Sequence, residues 1–209
     1  MKTLLAIIAA LLLCSCNMVN KHSKFVSTAS DALRSTVLIS SSDIGSGSGF
    51  HIGNGFFVTN AHVVLDNGKA NLTTVYLVDG ANAVLIAYDP ARDLAVLQCS
   101  LKAHLKPFKL SLAAIDLKDD ILSVGTHYGV IELASKGFVS VVGDGFLVTT
   151  APMNHGCSGG PLLNEDYEVI AVNAWGIGVG YDWSGISGHI DAKTLVEFLQ
   201  DVAMSKDAG

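Results

Sequence analysis

The sequence is short of cysteine, of basic residues and of long hydrophobic runs. It has 4 cysteines in 209 residues, and only Cys99 and Cys157 lie beyond the N-terminal segment. The 13 Lys and Arg residues form no cluster and are outnumbered by 19 Asp and Glu, so nucleic acid is not expected as a partner. The apolar run from Leu4 to Leu13 is too short to cross a bilayer as a helix. These absences leave an acidic globular domain as the expected class of protein.

The two remaining cysteines allow two interpretations. A disulfide between Cys99 and Cys157 requires Cα atoms within about 7 Å of each other, and the sequence does not fix that distance. Cys99 lies in an apolar stretch and Cys157 in a glycine-rich loop. Burial of both as small hydrophobic residues is therefore favoured over a disulfide.

The N-terminus has the pattern of an export signal. Lys2 precedes the apolar run, and Leu13-Cys14-Ser15-Cys16 follows it, which resembles the bacterial lipoprotein box. Cys16 is the better acyl acceptor, because Ser15 supplies the small residue that the pattern requires before the cysteine. An ordinary signal peptide cut nearby is the alternative. The favoured interpretation is an exported protein, anchored by lipid to a bacterial membrane and facing the periplasm or the exterior.

A glycine-rich loop near the middle of the second half is typical of a catalytic nucleophile. It reads Asn154-His155-Gly156-Cys157-Ser158-Gly159-Gly160-Pro161, with glycines on both sides of one serine. Glycines allow tight turns, so amide N–H groups can converge beside the Ser158 hydroxyl. A serine attacks an amide only if a base removes its proton and a carboxylate orients that base.

Both partners are present upstream of the loop. His62 lies in Thr59-Asn60-Ala61-His62-Val63-Val64, and Asp93 lies in Ala91-Arg92-Asp93-Leu94-Ala95-Val96-Leu97. With Ser158, the three blocks follow the order His, Asp, Ser. In flanks and order, from about residue 35 to residue 204, the chain resembles the trypsin-like serine proteases, most closely the HtrA-type branch.

The resemblance implies a Ser-His-Asp triad and an acyl-enzyme. His62 is then the general base and acid, Asp93 is expected to be buried and to accept the His62 Nδ1–H, and Ser158 is the nucleophile. The backbone N–H groups of Gly156 and Ser158 are expected to form the oxyanion hole. Polypeptides are the expected substrates, and no cofactor or metal is predicted.

The resemblance also places the primary specificity pocket between residues 152–154, 173–176 and 187–189. The pocket residues predicted from these segments are Met153, Asn173, Ala174, Trp175 and Gly188. None of the segments contains an acidic residue, so a small or apolar substrate side chain is expected rather than a basic one. His189 keeps open a preference for acidic side chains. The strand edge at Trp175 is expected to pair with extended substrate backbone.

Two further alternatives stay open. Cys157, which stands where HtrA-type proteases usually have asparagine, could itself be a thiol nucleophile, although viral cysteine proteases of this fold replace the serine itself. The chain could also be a trypsin-fold binding or scaffold lipoprotein that has lost turnover. The intact triad favours the enzyme.

The predicted fold is all-β, with two six-stranded antiparallel β-barrels and a C-terminal helix. Short β-branched runs separated by Gly, Asn, Asp and Pro predict the strands. The Gly45–Gly49 run enters a strand rather than a helix, so we interpret it as part of a hairpin and not as a phosphate loop. Asp191 is the predicted N-cap of the helix. No PDZ domain is expected after the helix, because few residues follow it.

The predicted segments are a signal peptide and lipobox at 1–16, a tether at 17–34, a protease domain at 35–204, and within that domain barrel 1 at about 35–100, a linker at about 101–118, barrel 2 at about 119–190 and the helix at 191–204.

Overall fold

Two closed antiparallel barrels make up most of the molecule. The structure is a computed structural model, and it describes residues 25–71, 74–127, 131–179 and 182–207. The predicted lipobox, including Cys16, and residues 17–24 of the predicted tether lie outside these ranges. The predicted fold class is confirmed.

The first barrel has six strands in the order β1-β2-β3-β6-β5-β4. They are β1 Thr36–Ser41, β2 Gly45–Gly53, β3 Phe56–Thr59, β4 Tyr76–Val78, β5 Ala81–Asp89 and β6 Leu94–Gln98. All four side chains of β3 are buried. A one-turn helix, α2 (Ala61–Val64), follows β3 directly, so the strand delivers His62 to one end of the barrel.

The second barrel repeats the pattern in the order β10-β11-β12-β9-β8-β7. Its strands are β7 Asp120–His127, β8 Ile131–Val142, β9 Phe146–Thr149, β10 Pro161–Leu163, β11 Val169–Val179 and β12 Asp182–Asp191. The loop that contains Ser158 joins β9 to β10. Residues 99–119 connect the barrels, with one 3-10 turn at Ser100–Lys102, close to the predicted linker.

Buried apolar side chains form three clusters. One fills the first barrel and another fills the second. The third lies between the barrels and includes Phe50 and Leu94 from the first barrel, Val172 from the second, and Phe198 from the C-terminal helix. Full burial of such a side chain contributes about 1.5–3 kcal/mol. The shared cluster therefore fixes the two barrels relative to each other.

The C-terminal helix, α3 (Ala192–Asp207), begins as predicted. Asp191 Oδ1 accepts a hydrogen bond from Thr194 N at 2.8 Å, which caps the first turn. Leu195, Phe198 and Leu199 are buried against the barrels. Arg92 Nη1 lies 2.7 Å from Asp201 Oδ2, so the helix that packs on the second barrel also contacts the first.

The predicted tether is wrong for its described part. Residues Ala29–Ser35 form helix α1, capped by Thr28, whose side chain accepts from Asp31 N. Val26 and Ala32 are buried in the cluster between the barrels, and Val26 N donates to Pro107 O at 3.1 Å. The segment has no long apolar periodicity that would predict a helix. Its structure depends on its packing against the barrels.

Among the described residues no helix is long and apolar enough to cross a membrane.

Candidate active site

His62 and Asp93 are brought together by two hydrogen bonds. Asp93 Oδ1 accepts from the His62 backbone N at 2.9 Å, and Asp93 Oδ2 lies 2.8 Å from His62 Nδ1. A carboxylate only accepts, so His62 Nδ1 carries the proton and Nε2 is left as the basic nitrogen. Asp93 adopts a left-handed backbone conformation with φ of 53°. Its carbonyl oxygen accepts from Asn60 Nδ2 at 2.9 Å, which holds that conformation in place.

The site is more open than the sequence suggested. The side chain of Asp93 is 33% exposed and that of His62 is 49% exposed. Asp93 was expected to be buried, and this expectation is wrong. Asp93 lies in the turn between β5 and β6, at one end of the barrel.

Ser158 lies on a loop whose peptide groups are held by specific partners. Cys157 N donates to Asn154 O at 3.1 Å, and Gly160 N donates to Cys157 O at 3.1 Å. Gly159 N donates to Asn173 O at 2.8 Å. Gly156 and Gly159 have φ values of 99° and 86°, which favour glycine. The loop conformation therefore requires the glycines that first marked it in the sequence.

The amides of Gly156 and Ser158, the two predicted oxyanion donors, have no hydrogen-bond partner among the bonds of the described residues. Ser158 is half-buried, and its Oγ donates to Ala174 O at 3.3 Å. Unpartnered N–H groups beside a half-buried hydroxyl are suited to bind a negatively charged oxygen.

The loop that contains Ser158 packs directly against the segment that carries His62. Ser48 N, on β2, donates to Ser158 O at 2.7 Å. A Cβ atom added to Gly159 would lie 2.3 Å from Thr59 Oγ1 and 3.0 Å from Asn60 N, so the loop touches the end of β3. Asn60 is two residues before His62, so the loop that contains Ser158 lies close to the segment that carries His62, at the junction of the two barrels.

This geometry agrees with the comparison to known protein families. A profile of the trypsin-like peptidase domain matches residues 47–172, more than half of the chain. The chain belongs to this family.

Named relatives of this trypsin-like peptidase chain include HtrA-type proteins. It is 37% identical to "Probable periplasmic serine endoprotease DegP-like" from Chlamydia pneumoniae, over 61% of this chain and 28% of the relative. It is 32% identical to "Serine protease HTRA2, mitochondrial" from Bos taurus, over 75% of this chain and 36% of the relative. The chain thus spans about a third or less of the length of these relatives.

The same fold occurs in a solved structure named "HtrA-type protease AlgW with tripeptide". The match has a TM-score of 0.73 and 26% sequence identity, and it covers 83% of this chain and 61% of the other.

The residues predicted to wall the specificity pocket of this trypsin-like peptidase chain have different environments. Met153, Asn173 and Ala174 are buried, whereas Trp175 is 44% exposed. Trp175 pairs with Gly188 across β11 and β12. A Cβ atom on Gly188 would lie 2.0 Å from Trp175 Cε2, so the indole rests directly on the Gly188 backbone. Gly188 is therefore required for the present position of the tryptophan.

Asn173 and His189 form a buried polar network instead of offering polar atoms to a ligand. His189 Nδ1 donates to Asn173 Oδ1 at 3.0 Å, and His189 Nε2 lies 2.8 Å from Thr149 Oγ1. Asn173 Nδ2 donates to Val124 O at 2.9 Å. Burial lowers the pKa of His189 to about 3, so the ring is neutral near pH 7. The structure therefore gives no support to His189 as a cation that selects acidic side chains.

Cys157 is buried and points away from the site. Its Sγ contacts Thr126 O at 3.6 Å, and burial raises the pKa of the thiol. Cys99 is also buried, and neither forms a disulfide in the described part of the chain. The interpretation of both as small buried residues is confirmed.

Sequence reasoning did not single out Ser48 or Thr126. Their hydroxyl groups donate to the Gly156 carbonyl oxygen at 2.6 and 3.2 Å. The signal for Ser48 in the sequence was the Gly45–Gly49 run, which predicted only part of a hairpin.

Proposed function

We propose that the chain is a serine endopeptidase that hydrolyses peptide bonds through His62, Asp93 and Ser158. The observation that carries this proposal is the pair of hydrogen bonds from His62 to Asp93. These bonds fix both the position and the tautomer of the imidazole beside the Ser158 loop. The relatives named serine endoprotease support the same chemistry.

In the proposed mechanism His62 Nε2 takes the proton of Ser158 Oγ as this oxygen attacks the substrate carbonyl carbon. The Gly156 and Ser158 N–H groups stabilise the resulting oxyanion, and one such donor is typically worth about 3 kcal/mol. His62 then gives the proton to the leaving amine, and an acyl-enzyme remains on Ser158. Water, activated by His62, hydrolyses this ester and restores the serine.

The alternative is a binding or scaffold protein without turnover. The observation in its favour is that Ser158 Oγ donates to Ala174 O. For catalysis the side chain rotates about its Cα–Cβ bond, so that the hydroxyl donates to His62 Nε2 instead.

A fluorophosphonate probe separates the two functions, because it reacts only with an activated serine. We expect the probe to label the parent protein at Ser158 and to leave Ser158→Ala and His62→Ala unlabelled. Circular dichroism shows whether each variant is folded. A folded parent that the probe does not label would identify the scaffold as the correct function.

Replacement of Cys157 by asparagine is expected to keep or raise peptidase activity. The thiol is buried and turned toward Thr126 O, so only the backbone of this residue contributes to the loop. Casein cleavage by purified Cys157→Asn measures the effect, with phenylmethylsulfonyl fluoride and iodoacetamide as paired inhibitors. Ser158→Ala is the matched control. An inactive Cys157→Asn protein beside an active Ser158→Ala protein would show that the thiol is the nucleophile.

We further propose that the protein is exported and anchored to a bacterial membrane by acylation of Cys16. The Leu13-Cys14-Ser15-Cys16 sequence and the relatives named as periplasmic support this location. Two acyl chains are the minimum for stable anchoring. A polypeptide substrate would then be cleaved close to the membrane surface.

Cys16→Ala is expected to move the protein from the membrane to the soluble fraction. Cell fractionation followed by immunoblotting measures the shift, with Cys14→Ala as the matched control that stays at the membrane. If the protein with both cysteines replaced sediments with membranes as the parent does, the anchor is not a lipid on either cysteine.

A further inference from the structure

Ser48 forms hydrogen bonds with the loop that contains Ser158, in addition to its strand pairing within the first barrel. It lies on β2 in the first barrel and is fully buried. Its backbone N donates to Ser158 O at 2.7 Å, and its Oγ donates to Gly156 O at 2.6 Å. The same Oγ accepts from Thr126 N at 2.7 Å. One serine of the first barrel thus binds two carbonyl groups of the loop in the second barrel.

Glycines on either side of Ser48 allow close packing, Gly47 against the loop and Gly49 against the neighbouring strands. A Cβ atom on Gly47 would lie 2.9 Å from Ser158 O and 2.6 Å from Val63 Cγ2. A Cβ atom on Gly49 would lie 2.8 Å from Val58 O. A larger residue at position 47 would push β2 away from the loop, and one at position 49 would clash with β3. Strand β2 therefore brings the Ser48 hydroxyl against the Gly156 carbonyl, which also accepts from Thr126 Oγ1.

The orientation of that carbonyl determines where the neighbouring amides point. In a trans peptide the C=O and the N–H of the next residue point in opposite directions. The Gly156 carbonyl points inward to Ser48, and the Cys157 N–H correspondingly points to Asn154 O. The Cys157 carbonyl accepts from Gly160 N, which leaves the Ser158 N–H directed away from that bond.

We propose that Ser48 is a positioning residue for the oxyanion hole, acting across the barrel junction through the Gly156 carbonyl. Gly156 has no side chain to restrict its backbone, so loss of the Ser48 hydroxyl, the shorter of the two bonds to the Gly156 carbonyl, makes rotation of the Gly156–Cys157 peptide easier. Such a rotation changes ψ of Gly156 and φ of Cys157, dihedral angles that lie between the Gly156 N–H and the Ser158 N–H, and so changes the direction of one donor relative to the other. This inference rests on the proposed function, because it assigns Ser48 a part in the same reaction.

The test compares Ser48→Ala with the parent on an oxygen ester and on the matching thionoester, in which sulfur replaces the carbonyl oxygen. Sulfur is a larger and weaker hydrogen-bond acceptor, so thionoester hydrolysis depends less on well-placed N–H donors. We expect kcat on the oxygen ester to fall about 10- to 100-fold, somewhat less than for deletion of a whole oxyanion donor. We expect little change in KM, and a lower ratio of oxygen-ester to thionoester rates.

Thr36→Val is the matched control for loss of a buried hydroxyl. Thr36 Oγ1 donates to Ala32 O at 2.8 Å, in a buried position away from the loop. It is expected to lose comparable stability in thermal unfolding and to keep the parent's rate ratio. If Ser48→Ala does not fold, Thr126→Val replaces it, since Thr126 Oγ1 donates to the same Gly156 oxygen. For Thr126→Val we expect a smaller fall in the ratio of oxygen-ester to thionoester rates than for Ser48→Ala.

If folded Ser48→Ala has the same ratio of oxygen-ester to thionoester rates as the parent, the inference is wrong. Any fall in kcat would then not arise from weaker binding of the oxyanion. A folded parent that hydrolyses neither ester and takes up no fluorophosphonate rejects the proposed function itself, and the Ser48 role with it.

Discussion

Ser158→Ala and His62→Ala are each expected to remove nearly all peptidase activity. The first change deletes the nucleophile, and the second leaves a hydroxyl whose proton has no acceptor. In triad enzymes a single such change lowers kcat by a factor on the order of 10⁶, and the members act as one unit. The double variant is therefore expected to lose little more than either single variant. Casein cleavage by the three purified proteins measures these effects.

The structure gives a further reason to expect that the effects of Ser158→Ala and His62→Ala on activity are not additive. His62 is held by Asp93, and the loop that contains Ser158 touches the end of β3 next to Asn60, so both proposed partners lie beside the same segment. Cys157→Asn, which is expected to keep both the loop and the activity, serves as the control. Undiminished cleavage by both single variants would mean that another site or a contaminant is responsible.

The second large effect concerns stability at acid pH. His189 is buried and neutral in the folded protein with a pKa of about 3, against an ordinary value of about 6.5 in the unfolded chain. Between these two values the unfolded state binds more protons, so the free energy of unfolding rises with pH. The stability contributed by neutral His189 is complete above about pH 6.5 and is lost as the pH falls toward 3. The total loss is on the order of 5 kcal/mol.

His189→Gln keeps hydrogen-bonding atoms in the network and removes the titration. Urea unfolding from pH 7.5 to pH 3.5 is expected to show the parent losing stability faster than the variant. The parent has the larger free energy of unfolding at pH 7.5, and its advantage over the variant therefore decreases as the pH falls. Burial also lowers the pKa of His51, so the variant retains part of the acid sensitivity. A difference between parent and variant that stays constant over this range would contradict a buried neutral His189.

Local sequence patterns were sufficient for most of the fold. Alternating β-branched runs with turn residues between them predicted the twelve strands, because alternation and turn chemistry act within a few residues of the chain. Asp191 was recognisable as a helix cap for the same reason, and its bond to Thr194 spans only three residues. Helix α1 was missed, since its burial depends on contacts with Pro107 and the core between the barrels.

The sequence by itself determined which residue types carry the proposed chemistry. His62, Asp93 and Ser158 stand in blocks whose flanks and order are informative without coordinates. Only the tertiary structure decided the surroundings of those residues. These are the partial exposure of Asp93, the Asn173–His189 network and the hydrogen bond from Ser48 to the Gly156 carbonyl. Ser48 and Gly156 are 108 positions apart, and their contact exists only because two barrels close against each other. No local pattern encodes such a contact, since it depends on how both barrels pack.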